Sequence, residues 1–269
     1  MSETQQKLEH LNRILNEMGS VLVAFSGGAD SAFLLKVAVD TLGENVFAVT
    51  AESPIHPDFE IEGARELAKE LSVKHEVVTS TEMQDETFLR NTPDRCYHCK
   101  KHVFSELKVL AEKNGIPWIV DGSNADDAGD YRPGMKALEE LEIRSPLKQA
   151  GLTKAEIRSL SKKLGLPTWD RPAMACLASR MPYGSRITSE ALKRIAEAER
   201  LLRRLGFTQV RVRDHGDVAR IEVLPDKQDA FLDRDMTDLL IMKLKTLGYK
   251  YVTLDLEGYR MGSLNEALK

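Results

Sequence analysis

Two kinds of hydrophobic pattern alternate along the first part of the chain. Short apolar runs rich in β-branched residues predict buried strands at residues 21–25, 46–50, 74–79 and 116–121. Longer segments with apolar residues at helical spacing predict helices at residues 31–42, 58–71, 97–114 and 153–164. Because strands that alternate with helices form parallel sheets, this pattern predicts an α/β fold with helices on both faces of the sheet.

The alternation ends near residue 170, within Pro167-Thr168-Trp169-Asp170-Arg171-Pro172. Beyond this point the pattern predicts a helix at 190–205, strands at 210–214 and 218–223, a helix at 238–247 and a strand at 251–256. His215-Gly216 is compatible with a hairpin turn between the first two of these strands. We therefore predict two domains, residues 1–170 and a smaller α+β domain at residues 171–269.

The turn between the first strand and its helix reads Ser26-Gly27-Gly28-Ala29-Asp30-Ser31. Two glycines let the backbone approach a ligand closely. The start of the helix adds unpaired N–H groups and the positive end of the helix dipole. These features predict a phosphate-binding loop at the carboxyl ends of the strands. It is not a Walker loop, because no lysine follows the second glycine.

The composition is that of an ordinary globular enzyme. Of 269 residues, 30% are charged and 42% are hydrophobic, and the formal net charge is -4. This net acidity argues against a protein whose whole surface binds nucleic acid. No apolar run reaches the length of a membrane span, and residues 1–18 predict an amphipathic helix instead of a signal peptide. We therefore expect a cytoplasmic protein, in which thiols stay reduced.

Three cysteines are the strongest candidates for further chemistry. Cys96 and Cys99 form a Cys-x-x-Cys pair at the start of a predicted helix, and Cys176 lies 77 positions beyond Cys99. Three interpretations remain open. The cysteines are small buried residues, or they bind structural zinc together with His98 or His102, or they give three thiolates to a [4Fe–4S] cluster with one open iron. The spacing of the pair indicates a metal or redox role without choosing between zinc and iron.

An acidic stretch, residues 121–134, follows the fourth predicted strand. Its spacing resembles a calcium loop, but no glycine stands at the sixth position, so we reject an EF-hand. A loop at the end of a strand can instead hold Mg²⁺ on ATP phosphates through water, and Asp126 is our candidate for this role. The alternative is a solvated acidic turn.

The predicted C-terminal hairpin carries a concentration of charge. Strand alternation places these polar side chains on the face opposite the core: Arg211, Arg213, His215, Arg220 and Glu222. Arginine binds phosphate and carboxylate through two hydrogen bonds, so three arginines on one face predict an anion site. We expect this charge to be balanced by Glu222, Glu199 and Asp229, or these carboxylates to hold a metal. A solvated charged face is the alternative.

With these residues identified, nearly the whole chain resembles the LarE family of ATP-dependent sulfur transferases. The resemblance rests on five motifs: Ala24-Phe25-Ser26-Gly27-Gly28-Ala29-Asp30-Ser31, Asp130-Tyr131-Arg132-Pro133-Gly134, Ser179-Arg180-Met181-Pro182-Tyr183-Gly184, Val210-Arg211-Val212-Arg213 and Tyr251-Val252-Thr253-Leu254-Asp255-Leu256. The first motif is shared across the PP-loop ATP pyrophosphatase superfamily, whose fold is adenine nucleotide alpha hydrolase-like. The family makes the nickel-pincer nucleotide cofactor of lactate racemase.

The resemblance implies a reaction and its cofactors. The enzyme would adenylate the carboxylates of pyridinium-3,5-dicarboxylic acid mononucleotide with ATP and Mg²⁺, and sulfur would then displace AMP to give thiocarboxylates. Some members supply sulfur from one sacrificial cysteine, which matches Cys176. Others hold a [4Fe–4S] cluster on three cysteines, which matches Cys96, Cys99 and Cys176 together and implies renewable sulfur from a sulfide donor. The resemblance also implies a homo-oligomer that takes a small nucleotide substrate. The second domain would serve substrate binding and oligomerisation.

We assign candidate roles on this basis. The catalytic and cluster-binding residues are Cys96, Cys99 and Cys176. The ATP-binding residues are Ser26, Gly27, Gly28, Asp30, Ser31, Asp126 and Arg180. The substrate-binding residues are Lys101, Arg211, Arg213, Arg220, Glu199 and Glu222.

Three other functions compete with this interpretation. Cluster-dependent tRNA thiolases share the loop and three cysteines, but they need an extended basic surface. An amide-forming ligase such as an NAD synthetase shares the adenylation but gives the cysteines no role. A zinc-stabilised binding module with a degenerate nucleotide fold would have no enzymatic activity.

Overall fold

The computed structural model describes residues 2–129, 133–172, 175–260 and 262–268. Residues 130–132, which belong to one motif of the family resemblance, lie outside the described residues. The chain divides into two compact units. The first unit comprises Met1–Asp85 and Asp94–Met174, and the second comprises Glu86–Pro93 and Ala175–Lys269.

The described secondary structure consists of the following elements. The helices are α1 Glu3–Met18, α2 Ala29–Leu42, α3 Asp58–Glu70, α4 Glu86–Leu89, α5 Arg95–Lys113, α6 Pro133–Glu140, α7 Pro146–Gln149, α8 Lys154–Lys163, α9 Ser189–Arg204 and α10 Arg234–Thr246. The strands are β1 Val21–Ala24, β2 Val46–Glu52, β3 Lys74–Thr79, β4 Trp118–Val120, β5 Val210–His215, β6 Val218–Val223 and β7 Tyr251–Leu254. None of the helices within the described ranges is long and apolar enough to cross a membrane.

The first unit is built on a parallel sheet with the strand order β3-β2-β1-β4. Val21 and Val23 of β1 belong to one apolar core, whereas Leu22 belongs to a second core with Phe104 and Leu107 of α5. Since successive strand residues point to opposite faces of a sheet, helices cover both faces. The predicted α/β fold is confirmed, and the carboxyl ends of all four strands lie at one edge.

The second unit contains a separate three-stranded sheet with the order β5-β6-β7. β5 and β6 form the predicted antiparallel hairpin, and β7 runs parallel to β6. Residues from α9 and α10 share its apolar core with Val212 and Ile221. α10 begins at Arg234, earlier than predicted, because the Asp233 side chain accepts a hydrogen bond from the Met236 N–H and caps the helix.

The short segment Glu86–Pro93 belongs to the second unit, although in sequence it lies between the two parts of the first unit. The Ile187 N–H donates to the Leu89 carbonyl at 2.8 Å, and the Arg186 guanidinium binds the Glu86 carboxylate at 2.7 Å. The second unit is therefore discontinuous in sequence, which no local pattern indicated.

Within the first unit, one ion pair connects the helices α1 and α8. The Lys7 Nζ lies 2.9 Å from Glu156 Oε1, and the same carboxylate accepts the Thr153 N–H in a capping box at the start of α8. Burial alone would raise the pKa of Glu156, but the Thr153 N–H and the Lys7 ammonium outweigh it and lower the pKa to about 2.

We expect the Glu156→Gln variant to lose about 1–2 kcal/mol of unfolding free energy at neutral pH, because the helix cap and the ion pair are both weakened. The folded-state pKa is depressed, so the carboxylate's contribution is present above the ordinary value of 4.5 and disappears as the pH falls toward about 2. Urea unfolding should show the two proteins converging over that pH range. Glu112→Gln, an exposed change on α5, is the control. A pH-independent difference would contradict this assignment.

Candidate functional site

The loop after β1 has the geometry of a phosphate cradle. Gly27 has a φ of +75°, and a Cβ at this position would lie 3.1 Å from the Glu60 carbonyl oxygen. The positive φ and the lack of room for a side chain both require glycine at position 27. The Ala32 N–H donates to the Gly28 carbonyl at 2.9 Å. The amides of residues 29–31 precede this bond in the chain and lie in the first turn of α2. The hydroxyl oxygens of Ser26 and Ser31 lie 3.0 Å apart beside the loop.

The segment after β4 packs directly on this loop. A Cβ on Gly122 would lie 2.9 Å from the Ser31 amide nitrogen, so Gly122 permits the close approach. The Asn124 Nδ2 donates to the Asp30 carboxylate at 3.0 Å. Burial raises the pKa of Asp30, while the Asn124 hydrogen bond acts in the opposite direction. The roles of Gly122 and Asn124 were not predictable from the sequence, because they depend on packing between distant segments.

Asp126, the candidate for Mg²⁺ binding, lies in the same strand-end segment and is exposed. Its carboxylate accepts the Lys154 N–H at 2.8 Å, at the first residue of α8. The neighbouring Asp127 is buried, and its Oδ1 lies 3.2 Å from the Lys154 Nζ. Asp126 is therefore the more accessible of these two carboxylates.

The Cys-x-x-Cys pair lies in the first turns of α5, where residues three apart share a face. Cys96 is exposed and Cys99 is half-buried. The His98 side chain lies 3.3 Å from the Asp94 carboxylate, and the His102 side chain lies 2.7 Å from the Thr81 hydroxyl. Both histidines therefore have polar partners apart from the thiols.

Lys101, a candidate substrate ligand on α5, donates to the Tyr97 hydroxyl at 2.8 Å and to Glu140 at 3.0 Å. These hydrogen bonds raise the pKa of Lys101, the Tyr97 bond having the larger effect. Lys101 is therefore an exposed cation that remains protonated at neutral pH.

Cys176 lies in the second unit, immediately before a 3₁₀ turn at Leu177–Arg180. Arg180 has no exposed surface, and its guanidinium donates to the carbonyl oxygens of Ala175 and Cys176 at 2.5 and 3.0 Å. The other side of the guanidinium binds both oxygens of Glu199, at 2.8 and 3.1 Å. The backbone that carries Cys176 is thus held by a buried ion pair.

The arginine face of the hairpin is not a solvated surface. Arg211 and Arg213 are only 5% and 7% exposed. Arg213 binds the two oxygens of Glu222 at 2.8 Å each and donates to the Ser179 carbonyl at 2.7 Å. Arg220 is half-buried and lies 3.1 Å from Glu222. The structure therefore pairs this cationic face with a carboxylate from the same hairpin.

Glu199 completes the buried network. Burial alone would raise the pKa of Glu199, but the Arg180 guanidinium outweighs it and lowers the pKa. Glu199 also accepts from Arg203 at 2.7 Å and from the Val212 N–H at 3.2 Å. Burial lowers the pKa of Arg211, with the neighbouring Arg180 adding to this direction. Glu199 and Glu222 therefore both accept hydrogen bonds from arginines, Glu199 from Arg180 and Glu222 from Arg213.

The sequence assigned two other polar residues to this face. His215 is the last residue of β5, and partial burial together with the charge of Arg220 lowers its pKa. His215 and Asp229 are both exposed, Asp229 in the 3₁₀ segment Pro225–Leu232. In no part of the described chain do three or more His, Cys, Asp or Glu side chains stand together in a group that could hold a metal ion. The chemistry of the three thiols nevertheless fits an iron–sulfur cluster, since thiolates are its ordinary protein ligands.

A parallel sheet with a Ser-Gly-Gly loop at the end of β1 defines a PP-loop α/β protein. The family model described as NAD synthase matches residues 4–101, which include this loop. An uncharacterized protein of Synechocystis sp. is 44% identical over 264 residues, 98% of each chain. The pyridinium-3,5-bisthiocarboxylic acid mononucleotide synthase of Lactiplantibacillus plantarum is 40% identical over 100% of this chain and 97% of the relative. The chain belongs to the LarE family of PP-loop sulfur-transferring enzymes.

Similarity to tRNA-modifying enzymes is narrower. A tRNA-specific 2-thiouridylase of Rickettsia peacockii is 27% identical over 196 residues, which cover 58% of this chain and 53% of the relative. The chain thus spans about half the length of that enzyme, in contrast to its full-length similarity to the mononucleotide synthase.

Proposed function

We propose that this protein is an ATP-dependent sulfur transferase that converts the carboxylates of pyridinium-3,5-dicarboxylic acid mononucleotide into thiocarboxylates. The observation that carries the proposal is the full-length similarity to a pyridinium-3,5-bisthiocarboxylic acid mononucleotide synthase, together with a complete phosphate loop. From the family resemblance we also infer that the protein is a cytoplasmic homo-oligomer and that it receives sulfide from a separate donor.

Activation of the substrate is assigned to the first unit. Ser26, Gly27, Gly28 and Ser31 hold the phosphates of ATP. Asp30 and Asp126 would hold the associated Mg²⁺, which when bound would offset the negative charge of the phosphates. A substrate carboxylate oxygen attacks the α-phosphorus, the bond to the bridging oxygen breaks, and pyrophosphate leaves. The product is an acyl adenylate, whose AMP is a far better leaving group than the original carboxylate oxygen.

Sulfur transfer is the second step. A sulfide sulfur attacks the acyl carbon, the bond to AMP breaks, and a thiocarboxylate, AMP and a proton result. Cys96, Cys99 and Cys176 would hold a [4Fe–4S] cluster, which when bound supplies an open iron for an additional sulfide. A second round of both steps converts the other carboxylate.

The cationic residues of the second unit suit an anionic substrate. Arg211, Arg213 and Arg220 are assigned to its carboxylate and phosphate groups, with Glu199 and Glu222 fixing their orientation. Lys101 of the first unit is assigned to the same substrate. The contacts of Arg180 support a role for it as a positioning residue for Cys176, because its guanidinium donates to the Cys176 carbonyl.

The function is tested by pyrophosphate release from ATP with three candidate substrates: the pyridinium dicarboxylate mononucleotide, nicotinic acid adenine dinucleotide and unmodified tRNA. We expect release with the first substrate only. Activity with the dinucleotide and ammonia would establish an amide-forming ligase, and activity with tRNA would establish a thiolase. No pyrophosphate release with any of the three would contradict an adenylating enzyme.

The metal is tested independently of activity. Protein purified without oxygen should contain about four iron atoms and four acid-labile sulfides per chain. Each of Cys96→Ala and Cys99→Ala should lower both contents, whereas Ser105→Ala, an exposed change on α5, should leave them unaltered. Zinc without sulfide, or no metal, would overturn the cluster assignment.

A further inference from the structure

One arginine outside the motifs contacts the phosphate loop. Arg171 follows α8, within the proline-bounded segment 167–172, and its Nη1 lies 3.4 Å from the Gly27 carbonyl oxygen. Its guanidinium lies against Gly63 of α3, where an added Cβ would be 3.1 Å from Nη1 and 3.3 Å from Nη2. The absence of a side chain at Gly63 therefore leaves room for the guanidinium beside the loop.

The backbone of Arg171 is held in place on both sides. Its N–H donates to the Thr168 carbonyl at 3.1 Å, and its carbonyl accepts from the Arg158 guanidinium at 2.7 Å. Among the described residues, the Arg171 side chain donates to one acceptor, the Gly27 carbonyl oxygen. Since a guanidinium carries five N–H donors, most of them remain for a ligand.

Two lysines around the loop are paired with carboxylates, whereas Arg158 donates to the Arg171 carbonyl oxygen. Lys154 Nζ lies 3.2 Å from Asp127, and Lys100 Nζ lies 3.6 Å from Asp121. The loop itself carries no lysine after its second glycine, so its own attraction for phosphate comes from amides and the helix dipole. Because the Arg171 side chain contacts the loop itself at the Gly27 carbonyl, it can add a full positive charge there.

We propose that Arg171 binds the β- and γ-phosphates of ATP and stabilises pyrophosphate as it leaves. This inference rests on the proposed adenylation. As the bond between the α-phosphorus and the bridging oxygen breaks, the electron pair stays on that oxygen and negative charge grows on the pyrophosphate. A planar guanidinium donates two parallel hydrogen bonds to phosphate oxygens and keeps its charge throughout the working pH range.

The test compares two ligands that differ in these phosphates. In Arg171→Gln, the KM for ATP and the inhibition constant of pyrophosphate should each rise on the order of 10- to 100-fold, the effect of losing charge-assisted hydrogen bonds. Inhibition by AMP should stay within about twofold, because AMP lacks both phosphates. Arg171→Lys should recover part of the loss. Arg13→Gln, an exposed change on α1, serves as the matched control.

A second variant moves the guanidinium without removing it. Gly63→Ala adds a Cβ about 3.1 Å from Nη1, and alanine is the better helix former within α3. We expect a several-fold rise in the inhibition constant of pyrophosphate with no loss of thermal stability. Because the charge is kept, this variant measures only how the position of the Arg171 guanidinium affects pyrophosphate binding.

Two results would overturn the inference: pyrophosphate binding by Arg171→Gln within twofold of wild type, or equal weakening of pyrophosphate and AMP, which indicates a structural role. Failure of the proposed function would look different, since wild-type protein would then release no pyrophosphate with the pyridinium substrate. In that case, calorimetric titration with pyrophosphate and with AMP still decides whether Arg171 binds the phosphates.

Discussion

Replacing Cys176 by alanine is expected to abolish thiocarboxylate formation, lowering its rate on the order of 10³-fold or more, because the thiol belongs to the proposed sulfur-transfer machinery. ATP–pyrophosphate exchange with the pyridinium substrate should stay within about twofold of wild type, since activation is assigned to the phosphate loop of the other unit. Chromatographic detection of the thiocarboxylate, alongside the exchange assay, separates the two steps. Loss of both activities would contradict this division of roles.

The same measurement on Cys96→Ala and Cys99→Ala separates the two sources of sulfur. If three thiolates share one cluster, either variant should lose repeated turnover, whereas a sacrificial Cys176 needs neither of the other cysteines. Ser105→Ala is the matched control on α5. Repeated turnover by either cysteine variant would contradict a shared site.

The second large effect is expected on stability. Glu199→Ala removes the carboxylate that binds the fully buried Arg180 guanidinium. Breaking a buried pair by removing one partner leaves an uncompensated charge, so we expect a loss of about 3–5 kcal/mol of unfolding free energy. The Ala175 and Cys176 carbonyls should also lose their fixed donor. Urea unfolding at neutral pH measures the effect.

Two further variants make this prediction decisive. Glu197→Ala removes a partly exposed pair with Arg200 on the same helix and should cost less than about 0.5 kcal/mol. If Glu199→Ala does not fold, the double variant Arg180→Met with Glu199→Leu removes both charges and should recover most of the stability. A loss below about 1 kcal/mol in Glu199→Ala would contradict a stabilising role for the buried pair.

The parallel sheet was predictable because its strands are short β-branched runs separated by amphipathic helices. The phosphate loop was predictable for a similar local reason: its glycines, its serines and the start of α2 are contiguous. Sequence periodicity also placed Arg211 and Arg213 on the correct face of the hairpin, opposite Val212.

What the sequence could not supply were contacts between distant segments. Gly122 and Gly63 look like ordinary glycines until the loop after β4 and the guanidinium of Arg171 are seen against them. The alternation of polar and apolar residues likewise could not exclude a solvated arginine face. It distinguishes the two faces of a strand but does not show what covers each face. In the structure, Ser179 and Ser263 approach that face and accept hydrogen bonds from Arg213.

A count of product molecules per chain distinguishes ATP-dependent transfer of renewable sulfur from transfer that consumes the enzyme. Anaerobically prepared protein is given ATP, Mg²⁺, sulfide and the pyridinium dicarboxylate mononucleotide, and the thiocarboxylate formed per chain is counted while the mass of the protein is recorded. We predict several product molecules per chain and an unchanged Cys176. At most one sulfur transferred per chain, with the mass of H₂S lost from Cys176, would contradict renewable transfer, and the absence of any thiocarboxylate would contradict the sulfur-transfer function itself.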